Sequence, residues 1–109
     1  MPAPPIAAWT AGDLQQKLHD QYGLRHLRVR KRGLLLTLES GPDDDPYRHV
    51  RFRRDTVHLW TVEAASRGKW ERMHLRATLD ELLEMLTTEM SWLIQSIDES
   101  PVGTSDREY

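Results

Sequence analysis

Residues 27–38 read LRVRKRGLLLTL, and along most of this segment apolar and polar side chains alternate. An alternation with a period of two is typical of a β-strand that buries one of its faces. Arg32-Gly33 interrupts the alternation and predicts the turn of a β-hairpin. With that turn, Val29 is expected to lie opposite Leu36 on the apolar face. The segment therefore predicts two antiparallel strands.

The same pattern returns twice further along the chain. Residues 49–60 alternate around residues 54–55, which predicts a second hairpin with its turn at those two positions. This register directs Trp60 away from the apolar face. Residues 69–75 alternate again after a turn at residues 66–68, and they predict a fifth strand.

Two segments have the period of an amphipathic helix. Residues 11–22 repeat apolar side chains every four positions after Thr10, a good N-cap residue, and end before Gly23, which tolerates left-handed backbone. The second segment opens with Thr78-Leu79-Asp80-Glu81, in which Thr and Glu have the spacing of a capping box. From there to residue 97 the apolar side chains form one stripe, which predicts a helix of about twenty residues.

The predicted order of elements is therefore one helix, five strands and a second helix. A meander of antiparallel strands can bury one face under helices and leave the other exposed. We predict an α+β fold, a two-layer sandwich of the order α-β-β-β-β-β-α with both helices on one face of the sheet. Within the 109 residues, this single domain is expected to cover residues 10–97, after an extended lead-in at 1–9 and before a flexible tail at 98–109.

The composition excludes several classes of site. The chain has no cysteine, which rules out disulfide frameworks, thiolate zinc sites and cysteine nucleophiles. The N-terminal segment lacks the features of a secretory signal, and no apolar run approaches the ~18–20 residues that cross a bilayer. We therefore expect a cytoplasmic protein with no membrane partner.

Charge is divided unevenly along the chain. Residues 25–76 carry 13 of the 15 Lys and Arg side chains and 7 of the 17 acidic ones, whereas residues 77–109 carry one basic and eight acidic side chains. The predicted sheet is therefore basic and the last helix acidic. Alternation predicts that basic and aromatic side chains collect on the sheet face opposite the helices, and this face is the candidate binding surface. It comprises Arg28, Arg30, Arg51, Arg53, His58, Trp60, Trp70, Arg72 and His74.

Three interpretations of this surface stay open. Trp and Arg are enriched at the energetic centres of protein interfaces, which favours a protein partner or self-association. Arginine also binds phosphate, and aromatic rings stack on unpaired bases, as in single-stranded nucleic-acid binding. Alternating charges are equally typical of a strand that faces water. We predict a non-enzymatic protein-interaction module that docks through this surface or the acidic last helix, with nucleic-acid binding as the alternative.

The sequence contains none of the motifs that mark an active site or a cofactor site. There is no Gly-rich phosphate loop, no Gly-x-Ser-x-Gly motif and no His-Glu-x-x-His motif. His49, His58 and His74 would share the candidate surface in the predicted register, but no closely spaced pair of ligands accompanies them. We predict no catalytic residue, no metal site and no cofactor.

The order of a helix, a sheet and a helix is similar to that of the double-stranded-RNA-binding domain and of small acidic secretion chaperones. The last helix of the RNA-binding domain begins with basic residues and glycine, whereas this one opens with Thr78-Leu79-Asp80-Glu81 and is acidic. The likeness to the chaperones rests on size and element types. Neither resemblance includes a motif, so neither implies a role for any residue of this chain.

Overall fold

The computed structural model describes residues 3–66 and 68–94. Five antiparallel strands form one sheet in their sequence order, with one helix before them and one after, which confirms the predicted α+β meander. The predicted tail at 98–109 lies outside the described residues. The elements are α1 (Thr10–Asp20), β1 (Arg28–Arg32), β2 (Leu35–Ser40), β3 (Tyr47–Arg54), β4 (Trp60–Ser66), β5 (Lys69–Ala77), α2 (Leu79–Thr88) and a final 3-10 turn (Ser91–Leu93).

The hydrophobic core lies between the two helices and one face of the sheet, which we call the inner face. α1 packs against β1, and α2 packs against β4 and β5. Ile6, from the N-terminal segment, and Ile94, after the last turn, are also buried in this core. Burial of these apolar side chains is the main stabilising contribution to such a fold. Leu27, just before β1, joins this core, and the sheet and helices contribute Leu14, Leu18, Leu36, Leu38, Val50, Phe52, Trp60, Val62, Leu82, Leu83 and Leu86.

The first hairpin forms with a register that differs from the prediction by two residues. Val29 lies opposite Leu38 rather than Leu36, and the turn residues are Gly33 and Leu34. Gly33 has a φ of 59°, a left-handed conformation that glycine adopts without steric strain. Because side chains alternate with a period of two, a shift of two residues leaves the predicted faces unchanged.

The second hairpin has a longer loop than predicted, and this changes which side chains are buried. The turn predicted at residues 54–55 is wrong, because Arg54 pairs with Trp60 and residues 55–59 form the loop. Thr56 stabilises the loop, since its hydroxyl accepts a hydrogen bond from a main-chain N–H at 3.0 Å. The register differs from the predicted one by an odd number of residues, which exchanges the two faces of β4. Trp60 therefore lies in the core, with 5% of its surface exposed.

The two helices begin differently. At α2 the predicted capping box is confirmed: the Thr78 hydroxyl accepts from the Glu81 N–H at 3.2 Å, and the Glu81 carboxylate accepts from the Thr78 N–H at 3.0 Å. At α1 the predicted cap at Thr10 is wrong, because the helix begins one residue earlier and Trp9 occupies the cap position without a side-chain hydrogen bond. After α1, Gly23 has a φ of 70°, as expected for a left-handed residue behind a helix.

α2 is shorter than the apolar stripe predicts. It ends at Thr88 rather than near residue 97, so the expectation of about twenty helical residues is wrong. The hydroxyls of Thr87 and Thr88 donate to main-chain carbonyls one turn earlier, an arrangement that weakens a helix. The chain then turns at Ser91–Leu93 and buries Ile94, which extends the apolar stripe without extending the helix. No helix in the described part of the chain is long and apolar enough to cross a membrane.

Candidate functional site

The sheet face opposite the helices, which we call the outer face, carries most of the predicted surface residues. Register and alternation place there Arg28 and Arg30 from β1, Arg51 and Arg53 from β3, and Trp70, Arg72 and His74 from β5. Two carboxylates share this face, Glu39 from β2 and Glu63 from β4. The outer face is therefore a mixed layer of arginines, carboxylates and one tryptophan, rather than a uniformly basic surface.

Glu63 organises the middle of the outer face. It is buried, and its carboxylate accepts a hydrogen bond from Arg51 Nε. Arg53 Nη2 lies 3.7 Å from the second oxygen of the same carboxylate. The Arg51 guanidinium also lies over Trp70, 4.4 Å from the ring centroid, which is a cation–π contact. Arg51 is therefore held by a carboxylate and an indole at once, and both partners restrict its motion.

Glu39 forms a second carboxylate site near the β1 edge of the sheet. Although it faces away from the helices, only 2% of its surface is exposed. Arg30 Nε donates to it, and this hydrogen bond raises the pKa of Arg30 further above its usual range. Beside this pair, Arg28 donates to the main-chain carbonyl of Gly41 and lies 3.4 Å from Asp43. Arginine thus ties the loop between β2 and β3 to the outer face.

Two of the predicted surface residues do not belong to this face. His58 lies in the exposed loop between β3 and β4, and Trp60 lies in the core. There the guanidinium of Arg54 stands 5.4 Å from the Trp60 ring centroid. The prediction that both residues lie in a strand and point outward is wrong, because the five-residue loop at residues 55–59 displaces the start of β4. Of the two tryptophans in the prediction, Trp70 is the one left to contact a ligand.

Two neighbouring grooves share part of their lining, one on the outer face and one at the end of the sheet. The central groove has a volume of about 400 Å³ and is lined by both charges, with Arg30, Arg32 and Arg48 beside Glu39, Asp43 and Asp44. The end groove has a volume of about 490 Å³ and lies where the start of β3 meets the β4–β5 turn. Among the described residues its lining has no carboxylate, and it consists of Pro46, Tyr47, Arg48, Ala65, Ser66, Gly68, Lys69 and Trp70. Pro46, Arg48 and Trp70 line both grooves, so the two grooves are neighbours.

A buried histidine joins the sheet to the C-terminal turn. His49 lies at a bulge of β3, which turns it from its predicted outward position to one with 3% of its surface exposed. Its Nδ1–H donates to the carbonyl of Leu93 at 3.1 Å, and its Nε2 accepts from the Ser40 hydroxyl at 2.8 Å. Burial lowers the pKa of His49; the bond to Leu93 opposes that shift, and His26 adds to it. The ring is therefore neutral near pH 7.

Ser40 and His49 have the atoms of a nucleophile and a general base, but their setting is that of a structural pair. Both are buried, neither lines the central or the end groove, and a main-chain carbonyl takes the place of the orienting acid. His58 and His74 lie in the β3–β4 loop and on β5, apart from this pair. Within residues 3–66 and 68–94, no group of three His, Asp or Glu side chains is arranged to hold a metal.

The exposed side of α2 is the second surface that the sequence suggests for docking. Asp80, Glu81, Glu84 and Glu89 are exposed there, and Asp80 forms an ion pair with Lys17 of α1. The helix itself contains no aromatic residue that could anchor a partner. A charged outer side with an apolar inner stripe is typical of a helix that faces water. The outer face of the sheet is therefore the better supported surface.

Sequence reasoning does not identify several residues that shape this surface. The alternation in β2 already directs Glu39 outward, whereas Glu63 requires the correct register of β4. Tyr47, Arg48 and Lys69 flank turns, where alternation gives no information about neighbours across the sheet. Their grouping in the end groove follows from the tertiary structure alone.

No protein-family model, curated protein or solved structure matches this chain. The arrangement of side chains on its surface is therefore the basis for assigning a function. That surface combines ordered arginines, an aromatic ring and a groove of mixed charge on an open sheet face, and a second groove adjoins it at the end of the sheet.

Proposed function

We propose that this chain is a non-enzymatic protein-interaction domain of the cytoplasm, and that another protein or a second copy of the chain docks on its outer face. The position of Arg51 carries the proposal. Its guanidinium is bonded to Glu63 and stacked on Trp70, so a partly buried Arg–Trp pair is ordered on the outer face before any partner arrives. Arg and Trp are the residues that most often dominate the binding energy of protein interfaces, and prior ordering lowers the entropic cost of association.

The charges of the outer face also favour a protein partner. Glu39 and Glu63 neutralise Arg30, Arg51 and Arg53, and a further acid, Asp43, lies beside Arg28. A phosphate backbone would have to approach these carboxylates, whereas a protein surface can present both charges in a complementary pattern.

The proposal is tested by comparing three forms of the full-length protein as bait for partner capture and in sedimentation equilibrium. These are wild type, Trp70→Ala on the outer face and Glu84→Lys on the exposed side of α2. We expect Trp70→Ala to abolish the captured partner or the self-association, and Glu84→Lys to leave it intact. If only Glu84→Lys loses the partner, the interface lies on α2. If both variants keep the partner, docking at both surfaces is refuted.

The second candidate function is single-stranded nucleic-acid binding, and the end groove is the observation that favours it. Its lining combines two aromatic residues, Tyr47 and Trp70, with two basic residues, Arg48 and Lys69. Aromatic rings beside cations are typical of sites that stack bases and bind phosphates. A fluorescent single-stranded oligonucleotide titrated at two salt concentrations tests it: saturable, salt-sensitive binding that quenches Trp emission supports it. A flat titration at low salt excludes it.

A further inference from the structure

We propose that the end groove binds an acidic segment of the protein partner, with a carboxylate on Arg48 and Lys69 and an apolar side chain against Tyr47 and Trp70. This inference rests on the proposed function and specifies the chemistry of the partner.

Arg48 and Lys69 are the two cations among the described residues that line the end groove. Both are exposed, and neither has a carboxylate within 4.0 Å in the described part of the chain. By contrast, the arginines in the middle of the face already bind Glu39 or Glu63. A bound carboxylate would find bidentate hydrogen bonding at Arg48 and a point charge at Lys69.

The two aromatic residues that line the groove are each held by a neighbour, Tyr47 on the core side of the sheet and Trp70 on the outer face. Tyr47 is 54% exposed and packs edge-on against the His49 ring, with centroids 4.9 Å apart. Trp70 is half-buried under Arg51. Rings that are already ordered lose little conformational entropy when an apolar side chain packs on them. The groove therefore offers an apolar contact next to its two cations.

The adjoining central groove favours an acidic peptide over a nucleic acid, because carboxylates lie among its arginines. A strand of phosphates that left the end groove past Arg48 would meet Asp43 and Asp44, and beneath them Glu39. A peptide can carry its carboxylates in the end groove and place neutral or basic side chains over these acids. The charge pattern along the two grooves therefore fits a polypeptide of changing charge better than a uniform polyanion.

Three labelled probes of about eight residues or nucleotides, long enough to cross the sheet when extended, test this inference by fluorescence anisotropy. They are a peptide of alternating Glu and Leu, a matched peptide of Gln and Leu, and a single-stranded oligothymidine. The protein is used as wild type, Arg48→Glu, Lys69→Glu and, as a control with the same change of charge, Lys31→Glu. Lys31 is exposed in β1 and lines neither groove.

We expect the Glu/Leu peptide to bind wild type about tenfold more tightly than the Gln/Leu peptide, the gain of one good charged hydrogen bond. Arg48→Glu and Lys69→Glu should each remove about that factor, and Lys31→Glu should change the affinity less than about twofold. Thermal unfolding of each variant confirms that it is folded. If a charge reversal prevents folding, the glutamine substitution at the same position, such as Arg48→Gln, takes its place.

Each of the following results would overturn the inference. If the two peptides bind with equal affinity, the groove does not recognise a carboxylate. If Lys31→Glu weakens binding as much as Arg48→Glu does, the preference for the acidic peptide comes from the overall charge of the protein. Tighter binding of oligothymidine, lost in Arg48→Glu, assigns the groove to nucleic acid. If partner capture depends on Trp70 but survives Arg48→Glu and Lys69→Glu, the groove assignment fails while the protein-interaction function stands. If capture survives Trp70→Ala as well, both fail.

Discussion

His49 donates its Nδ1–H to the main-chain carbonyl of Leu93 at 3.1 Å, and this bond joins the third strand to the last described turn of the chain. The next carbonyl, that of Ile94, accepts from His26 Nε2 at 2.7 Å. The two imidazole rings stand edge to face, with centroids 6.1 Å apart. Two neighbouring histidines therefore hold two consecutive carbonyls, and the C-terminal turn depends on both remaining hydrogen-bond donors.

The stability of the domain should decrease in mild acid. Burial, opposed by the Leu93 bond and helped by His26, holds the folded-state pKa of His49 below the unfolded value of about 6.5. Between these two pKa values the unfolded chain binds more protons than the folded one. The contribution of His49 to the free energy of unfolding therefore falls as the pH drops below about 6.5 and is constant above it. Urea unfolding followed by circular dichroism from pH ~8 to ~5 measures this.

His49→Ala provides the control for that pH dependence. The substitution leaves the Ser40 hydroxyl and the Leu93 carbonyl without their partner, and we expect it to cost about 2 kcal/mol at pH 7. The remaining decrease of stability in acid should be smaller than in wild type, because one titrating group is gone. A wild-type urea midpoint that does not change with pH would contradict the assignment of His49 as a buried neutral ring.

The two tryptophans of the predicted surface should differ sharply in their effect on stability. Trp60→Ala removes a large side chain from the core and should cost about 3–5 kcal/mol. Trp70→Ala removes a half-buried ring and the cation–π contact with Arg51, and should cost about 1 kcal/mol. Urea unfolding followed by far-ultraviolet circular dichroism compares them. Equal losses would place Trp60 outside the core and contradict the register of β4.

The ion pair between Arg51 and Glu63 should contribute more to the free energy of unfolding than an exposed ion pair does. Glu63→Ala leaves the mostly buried Arg51 guanidinium without its carboxylate, and we expect a loss of about 2 kcal/mol. The exposed pair Arg25–Asp20, 3.5 Å apart, provides the comparison, and Arg25→Ala should cost less than about 0.5 kcal/mol. Double-mutant cycles on both pairs give the coupling energies. Equal coupling would show that the outer-face pair is solvated like a surface pair.

The cap of α2 should be worth about as much as an ordinary N-cap. Thr78→Ala removes the hydroxyl that accepts from the Glu81 N–H, and we expect it to lower the free energy of unfolding by about 1 kcal/mol. Hydrogen bonds from Thr78 lower the pKa of Glu81, so the box loses strength in acid as that carboxylate is protonated. Thr10→Ala in α1 is the matched control and should change stability by less than about 0.5 kcal/mol, since Thr10 caps nothing. A larger loss of stability in Thr10→Ala than in Thr78→Ala would show that Thr10 caps α1 after all.

Local patterns predict the elements of this fold correctly where one segment contains all the information. The capping box at Thr78 needs four consecutive residues, and the alternation in β1 and β2 survives a shift of two positions. The candidate surface is predicted less well. Trp60 changes face because hydrogen bonds within the loop before β4 set the loop length, and His49 turns inward at a bulge.

The amino-acid sequence by itself determined the order of helices and strands, the meander and the electrical difference between sheet and last helix. These follow from the period of apolar residues and from composition, which are properties of neighbours along the chain. Tertiary structure alone decided that Glu63 neutralises Arg51 and that Tyr47, Arg48 and Lys69 meet Trp70 in one groove. Such contacts depend on the register between strands, and one loop of unexpected length is enough to exchange a strand's faces.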